Sequence, residues 1–258
     1  MDCDIRNFIL TRYLRETWDN NPHHMNKACG NMDMQKWHEV QEMLYKQQIK
    51  QLKYLYPKAT IHVLTNDEKR LKEKDVTVHY KKDMPSCHLA KLNVYGLIDE
   101  PAMYIDNDII IVRKWNQKEL ETDAPFNLYR KNSQEELQKW AKEKLPVDGN
   151  GYFNAGIIWI KKPSKSLVET LQEYHEKYFS DREKIINLGG WADSDELPVT
   201  LYVYDKKYQM KKFKTVGVGR NQIKFDEMKK FQSVHYGGLS QKMKCINEYN
   251  LIKSMKMR

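Results

Sequence analysis

Two aspartates one residue apart, Asp106 and Asp108, sit inside the apolar stretch AMYIDNDIIIV, residues 102–112. Read as one strand, side chains two apart point to the same side, so both carboxylates converge. Ionised carboxylates among β-branched apolar residues are costly unless something neutralises them. A hard divalent cation does so, and it can carry the phosphates of a substrate at the same time. Asp-x-Asp at the end of a strand is therefore a candidate metal–diphosphate site. The same tripeptide, Asp-Asn-Asp, also suits the turn residues that follow a strand.

Such a pair needs a scaffold to place it at a ligand. IRNFIL (5–10) reads as a first strand, followed by a long polar segment, TRYLRETWDNNPHHMNKACGN. Residues 33–55 carry Trp37, Val40, Leu44, Ile49, Leu52 and Leu55 near one stripe, which predicts an amphipathic helix, with Asp33 at its start and Pro57 just past its end. TIHVLTN (60–66) and VTVHY (76–80) read as strands, and 87–98 as a helix leading into the 102–112 strand. Ser133 and Glu136 form a capping box that predicts a helix over 133–145. YFNAGIIWI (152–160) reads as a strand and 164–179 as a further amphipathic helix. A short helix near 195–202 and strands near 213–218 and 231–236 complete the pattern. The β–α–β alternation predicts an α/β fold, with a mixed, mostly parallel sheet flanked by helices. Ligands of such sheets bind at the carboxyl ends of strands, where Asp106 and Asp108 lie.

The chain has 258 residues, 40% hydrophobic and 31% charged, which is ample core material for a globular protein. No run approaches the 18 or so apolar residues of a membrane span. The N-terminal MDCDIRNFILTRY is acidic and has too short an apolar run for a signal peptide. Cys3, Cys29, Cys87 and Cys245 form no CxxC, so free thiols in a reducing, cytoplasmic setting are expected, without a disulfide framework. The net charge of +9 clusters at DKKYQMKKFK (205–214) and in the tail. It suits phosphorylated substrates, nucleic acid or an anionic membrane. No RNP-like motif is present, so no nucleic-acid partner is expected. The amphipathic KMKCINEYNLIKSMKMR suits a final helix in peripheral contact with an anionic membrane.

Four segments, in this order, resemble the GT-A-fold nucleotide-sugar glycosyltransferases, most closely the glycogenin/galactosyltransferase-like (family 8-like) enzymes. AKLNVYGLIDEPAMYIDNDIII is similar to that family's helix–strand unit, with its Lys-Leu start, an aromatic four residues after the Lys, and Asp-x-Asp. YFNAGIIWIKKPS is similar to its Phe-Asn-(Ser/Ala)-Gly strand, and ADSDELPVTLY loosely to its Asp-Gln segment. VHYGGLSQK resembles its late His-x-x-Gly-x-x-Lys. The resemblance implies one GT-A-like domain over 1–258, with a nucleotide-binding part (about 1–112), an acceptor and metal-completing part (about 113–242) and a tail (243–258).

The resemblance also implies roles. Asp106, Asp108 and His235 would hold Mn²⁺ or Mg²⁺ against the diphosphate of a nucleoside-diphosphate sugar, with Asp106 also reaching the ribose. Imidazole among the ligands favours Mn²⁺. Thr11 and Arg12 would meet the nucleotide. Lys91 would contact the sugar or a phosphate oxygen, Asn154 the sugar hydroxyls, and Gly156 would allow close backbone approach. Asp195 would act on the acceptor side, although Glu196 stands where the family has Gln, and Asp193 competes for the role. Lys242 would grip phosphate one residue later than the family's Lys. The implied activity is transfer of a sugar, with retention, from a uridine-diphosphate donor to a glycan, lipid-linked or protein acceptor. Two other readings remain. A sugar-nucleotide nucleotidyltransferase would open with a Gly-rich loop that TRYLRETWDNN lacks. A non-catalytic basic module would bind without Asp106 and Asp108.

Overall fold

The computed structural model describes residues 4–14, 34–84, 87–131, 143, 152–178, 195–208, 210, 215–217 and 233–236. The expected helix over 133–145, the C-terminal helix, most of the polar segment after β1, and Lys242 lie outside these residues. The fold has a six-stranded, mixed, mostly parallel sheet with helices and a second, three-stranded sheet. The chain divides into two compact units. One comprises Met1–Lys82, Ile105–Asn116 and Lys214–Arg258; the other comprises Asp83–Tyr104 and Gln117–Phe213.

In the first unit, β1 (Asn7–Arg12), β2 (Thr60–Thr65) and β3 (Thr77–Tyr80) run parallel in the order β3-β2-β1. Phe8, Ile9 and Leu10 are all buried, as expected of a parallel strand covered on both faces. The helix α1 (Met34–Leu55) follows the predicted stripe, with Val40, Leu44, Leu52 and Leu55 inward. Its buried face also carries Gln47, Gln48 and Gln51. β5 (Ile109–Ile111) pairs antiparallel with β9 (Ser233–His235), which pairs parallel with β8 (Thr215–Gly217).

The expected single strand over 102–112 is two strands. β4 (Ala102–Ile105) ends, the chain turns through Asp106–Asp108, and β5 begins in the other sheet. All seven residues of the two strands are buried, so the apolar run reads as continuous even though its hydrogen-bonding partners change midway.

The second unit holds β4 up to Tyr104, β6 (Phe126–Lys131) and β7 (Tyr152–Ile160), in the order β4-β7-β6, with β6 and β7 antiparallel. It also holds α2 (Cys87–Ala90), α3 (Gln117–Leu120), α4 (Lys165–Tyr178) and α5 (Glu196–Asp205). The expected helix over 87–98 is only α2 followed by a 3-10 helix, Lys91–Gly96. The reason is tertiary. A Cβ at Gly96 would meet the Ser164 carbonyl oxygen at 2.7 Å, and Ser164 N donates to the Tyr95 carbonyl at 2.9 Å. The tighter winding stacks Leu92 over Tyr95, three residues on, and both are buried.

Candidate functional site

The turn between β4 and β5 lies within the first unit, and three elements hold it. The antiparallel register sets His235 opposite Ile109, and Tyr236 N donates to the Asp108 carbonyl at 2.9 Å. This brings His235 Nε2 to 3.5 Å from Asp108 Oδ1. On the other side of β5, Gln51 of α1 donates to the Ile111 carbonyl at 3.0 Å and accepts from Ile111 N at 3.2 Å. Third, Asn107 Nδ2 donates to the Thr11 carbonyl at the end of β1, at 3.0 Å.

Asp106, Asp108 and His235 each offer one ligand atom, and these atoms lie within 4.8 Å of one another. Asp108 is buried, while Asp106 and His235 are half-buried, so the cluster is reachable from solvent. Two carboxylates held this close, beside the fully buried Ile105 and Ile109, repel one another unless a positive charge joins them. With metal–oxygen bonds of about 2.1 Å, neighbouring ligands of a six-coordinate cation stand about 3 Å apart and opposite ones about 4 Å. The cluster fits such an ion after a small contraction. Two carboxylate oxygens and one imidazole nitrogen form a donor set that could hold a divalent cation. The predicted trio is thus brought together, through a turn and a strand pairing instead of through alternation along one strand.

Thr11 lies beside this turn through its carbonyl. Arg12 follows it, yet its guanidinium is buried and directed inward. Nε donates to Glu42 of α1 at 3.3 Å, and one terminal nitrogen donates to the Tyr13 carbonyl at 3.1 Å. Burial, with the nearby Arg70 charge, lowers its pKa, and Glu42 partly restores it. Arg70 also pairs with Glu42 and, at 3.0 Å, with Glu73. Arg12 therefore ties the end of β1 to α1. Nothing in the sequence marks Glu42 as the carboxylate that Arg12 and Arg70 share.

The predicted sugar-side residues lie in the second unit. Asn154 Nδ2 donates to Glu196 Oε1 at 2.6 Å, and its Oδ1 accepts from Gly156 N at 2.9 Å. The β6/β7 register jumps here. Leu128 faces Ile158 but Tyr129 faces Asn154, so residues 155–157 bulge from β7. The Phe-Asn-Ala-Gly segment thus runs into a bulge, which the Asn154 side chain closes while it is pinned to the start of α5. Asp195 occupies the N-cap position of α5 and is 1% exposed. Lys91 places Nζ 5.6 Å from the centre of the Tyr104 ring. The phenol of Tyr95 connects Lys91 and Asp195 electrostatically. Burial first, then the Asp195 charge, hold its pKa well above the ordinary value, while Lys91 pulls the other way. Tyr95 was visible to sequence reading only as the aromatic four residues after Lys91.

No protein-family model and no curated protein sequence matches the chain. Solved structures do. An active-site mutant of LgtC superposes with a TM-score of 0.58 at 11% identity, covering 96% of this chain and 95% of that one. Galactosyltransferase LgtC in complex with donor and acceptor sugar analogues gives 0.54 at 12% identity, covering 94% and 95%. Over nearly its whole length, the chain has the GT-A-type α/β fold of the nucleotide-sugar glycosyltransferases.

Proposed function

We propose that this chain is a metal-dependent glycosyltransferase. It would move a sugar from a nucleoside-diphosphate donor, by resemblance a uridine-diphosphate sugar, to a hydroxyl of a glycan, lipid-linked or protein acceptor. The observation that carries this reading is the convergence of Asp106, Asp108 and His235 within 4.8 Å at the end of β4. The galactosyltransferase of similar fold, solved with donor and acceptor sugar analogues, supports the substrate class.

In this reading Asp106 and Asp108 supply anionic oxygens, and His235 a neutral imidazole nitrogen, to Mn²⁺ or Mg²⁺. When bound, the cation neutralises charge that builds on the diphosphate as it leaves. The turn held by Asn107, β9 and Gln51 keeps these side chains in place, so little reorganisation is needed as that charge develops. Thr11 bounds the nucleotide subsite, and the buried Arg12 supports it from behind. Lys242, which follows His235 in sequence, is the phosphate-side cation. Asp195, Asn154 and Lys91 are the sugar and acceptor residues, with Gly156 in the bulge next to Asn154. The bond from the anomeric carbon to the phosphate oxygen breaks, and the acceptor oxygen takes its place as its proton is lost. The sugar centre passes through oxocarbenium character, and the family resemblance points to retention. The basic C-terminal tail would rest on an anionic membrane surface.

Thermal unfolding with Mn²⁺, uridine diphosphate, or both tests this reading. Stabilisation that needs both is expected, and at ligand about 100-fold over its Kd it amounts to roughly 2.7 kcal/mol. It should vanish in Asp108→Asn, together with hydrolysis or transfer of the donor. An Asp108→Asn chain stabilised as fully as the parent would refute the assignment.

A further inference from the structure

The Asp-Asn-Asp turn contains a third side chain, which makes a long-range bond of its own. Asn107 donates from Nδ2 to the Thr11 carbonyl, across 96 positions of sequence. Only an N–H can donate to a carbonyl oxygen, so the orientation of the amide is set. The backbone at the end of β1 is itself immobilised by side chains. Thr65 Oγ1 donates to the Arg12 carbonyl at 2.6 Å. Thr11 itself is paired with Leu64 in the β1–β2 register, whereas Asn66 grips the chain farther on, at Leu14, accepting from its N–H at 2.8 Å and donating to its carbonyl at 2.9 Å. The Asn107 bond therefore fastens the turn to a fixed point. Asp108 has two such restraints of its own, the Tyr236 N–H on its carbonyl and the β5–β9 pairing that follows it. Asp106 directly precedes Asn107, so the bond that fastens Asn107 also restrains the backbone that carries Asp106.

We propose that Asn107 is the positioning residue of the divalent-cation site. By holding the turn to the Thr11 carbonyl, it sets the distance of Asp106 from Asp108 and His235. Loss of the bond frees the turn without removing any ligand. The cation then has to order it on binding, and affinity falls. The proposal rests on the metal reading above. Groups that orient metal ligands contribute about 10–100-fold to affinity when mutated.

The test is a Mn²⁺ titration by calorimetry on the full chain, without nucleotide or sugar, together with the electron paramagnetic spectrum of the bound ion. Asn107→Ala should weaken Mn²⁺ binding by about tenfold or more and broaden the spectrum. Asn66→Ala serves as the control. It loosens the same β1 end by cutting the Leu14 clamp, but it leaves the turn's own bond in place, so Mn²⁺ affinity should stay near the parent's. Asn107→Ser, whose hydroxyl is too short to reach the Thr11 carbonyl, should show a similar loss and provides a second variant if the alanine chain folds poorly. Parent-like affinity in both Asn107 variants overturns the proposal and leaves the metal site standing. An equal loss in Asn66→Ala also overturns it, since the effect would then be general loosening of β1. A parent chain that takes up no Mn²⁺ overturns the metal reading and this inference with it.

Discussion

Replacing Gln51 with leucine should unfasten the strand that carries the candidate metal site. The N–H and C=O of one antiparallel strand residue point to the same edge. At Ile111 that edge faces α1, where the Gln51 amide satisfies both groups, at 3.2 and 3.0 Å. Gln51 is 5% exposed, so water does not readily replace it. Leucine has similar volume and a slightly better helix propensity, so neither a cavity nor a helix penalty confuses the result. Two buried backbone groups lose their partner, at about 1–3 kcal/mol each. The apolar leucine returns part of that, leaving a net loss of about 2–4 kcal/mol. Urea unfolding at constant slope measures the loss, and amide exchange at Ile111 localises it. A midpoint shift below about 1 kcal/mol, with Ile111 exchange unchanged, would refute the clamp; the threshold reflects an ordinary net hydrogen bond.

Glu42 gives a prediction with a defined pH window. Burial raises its pKa, but the charges of Arg70 and Arg12 and the Lys46 bond outweigh this and hold it below the usual 4.5. A folded-state pKa below the unfolded one adds stability that is complete above about 4.5 and is lost as pH falls through the folded value. Thermal scans should therefore show Glu42→Gln less stable than the parent at neutral pH, with the gap closing in acid; a gap that is constant with pH would contradict the assignment. Gly96→Ala should cost about 1–3 kcal/mol by overpacking, because the new methyl meets the backbone of Ser164, which has no rotamer to give. Denaturant titration reads it, and a neutral result would mean the 3-10 segment is free to shift.

Much of the candidate site is legible in the chain itself, because its signals are local. Asp106 and Asp108 stand out because the residues before and after them, AMYI and IIIV, are all apolar. The α1 stripe repeats every three to four residues, and the observed helix, Met34–Leu55, departs from the expected 33–55 by a single residue. The strand at 152–160 and the helix near 164–179 carry equally plain periodicity and appear as Tyr152–Ile160 and Lys165–Tyr178. β6, by contrast, leaves little trace. FNLYRK follows Pro125 with no clean alternation, and it becomes a strand by pairing with β7.

The residues at which the sequence reading and the structure part company are those whose role depends on a distant partner. Periodicity cannot tell one strand from two when every residue of both is buried. Hence the switch from β4 to β5 at Asp106–Asp108 is decided by β9, far along the chain. The 87–98 segment has helical composition, but the close approach of Ser164 to Gly96 winds it tighter. Arg12, the last residue of β1, gives no local sign of its partner, a carboxylate 30 positions away on α1. Sequence alone determined which residue types could hold a cation and on which strand they end, because spacing and burial preference are properties of neighbours. Tertiary structure alone decided that Asp106, Asp108 and His235 share one point in space, and that Asn107 and Gln51 keep them there. Those contacts are closed by side-chain bonds 60 and 96 positions apart and by the still more distant pairing of β5 with β9, for which no local pattern exists.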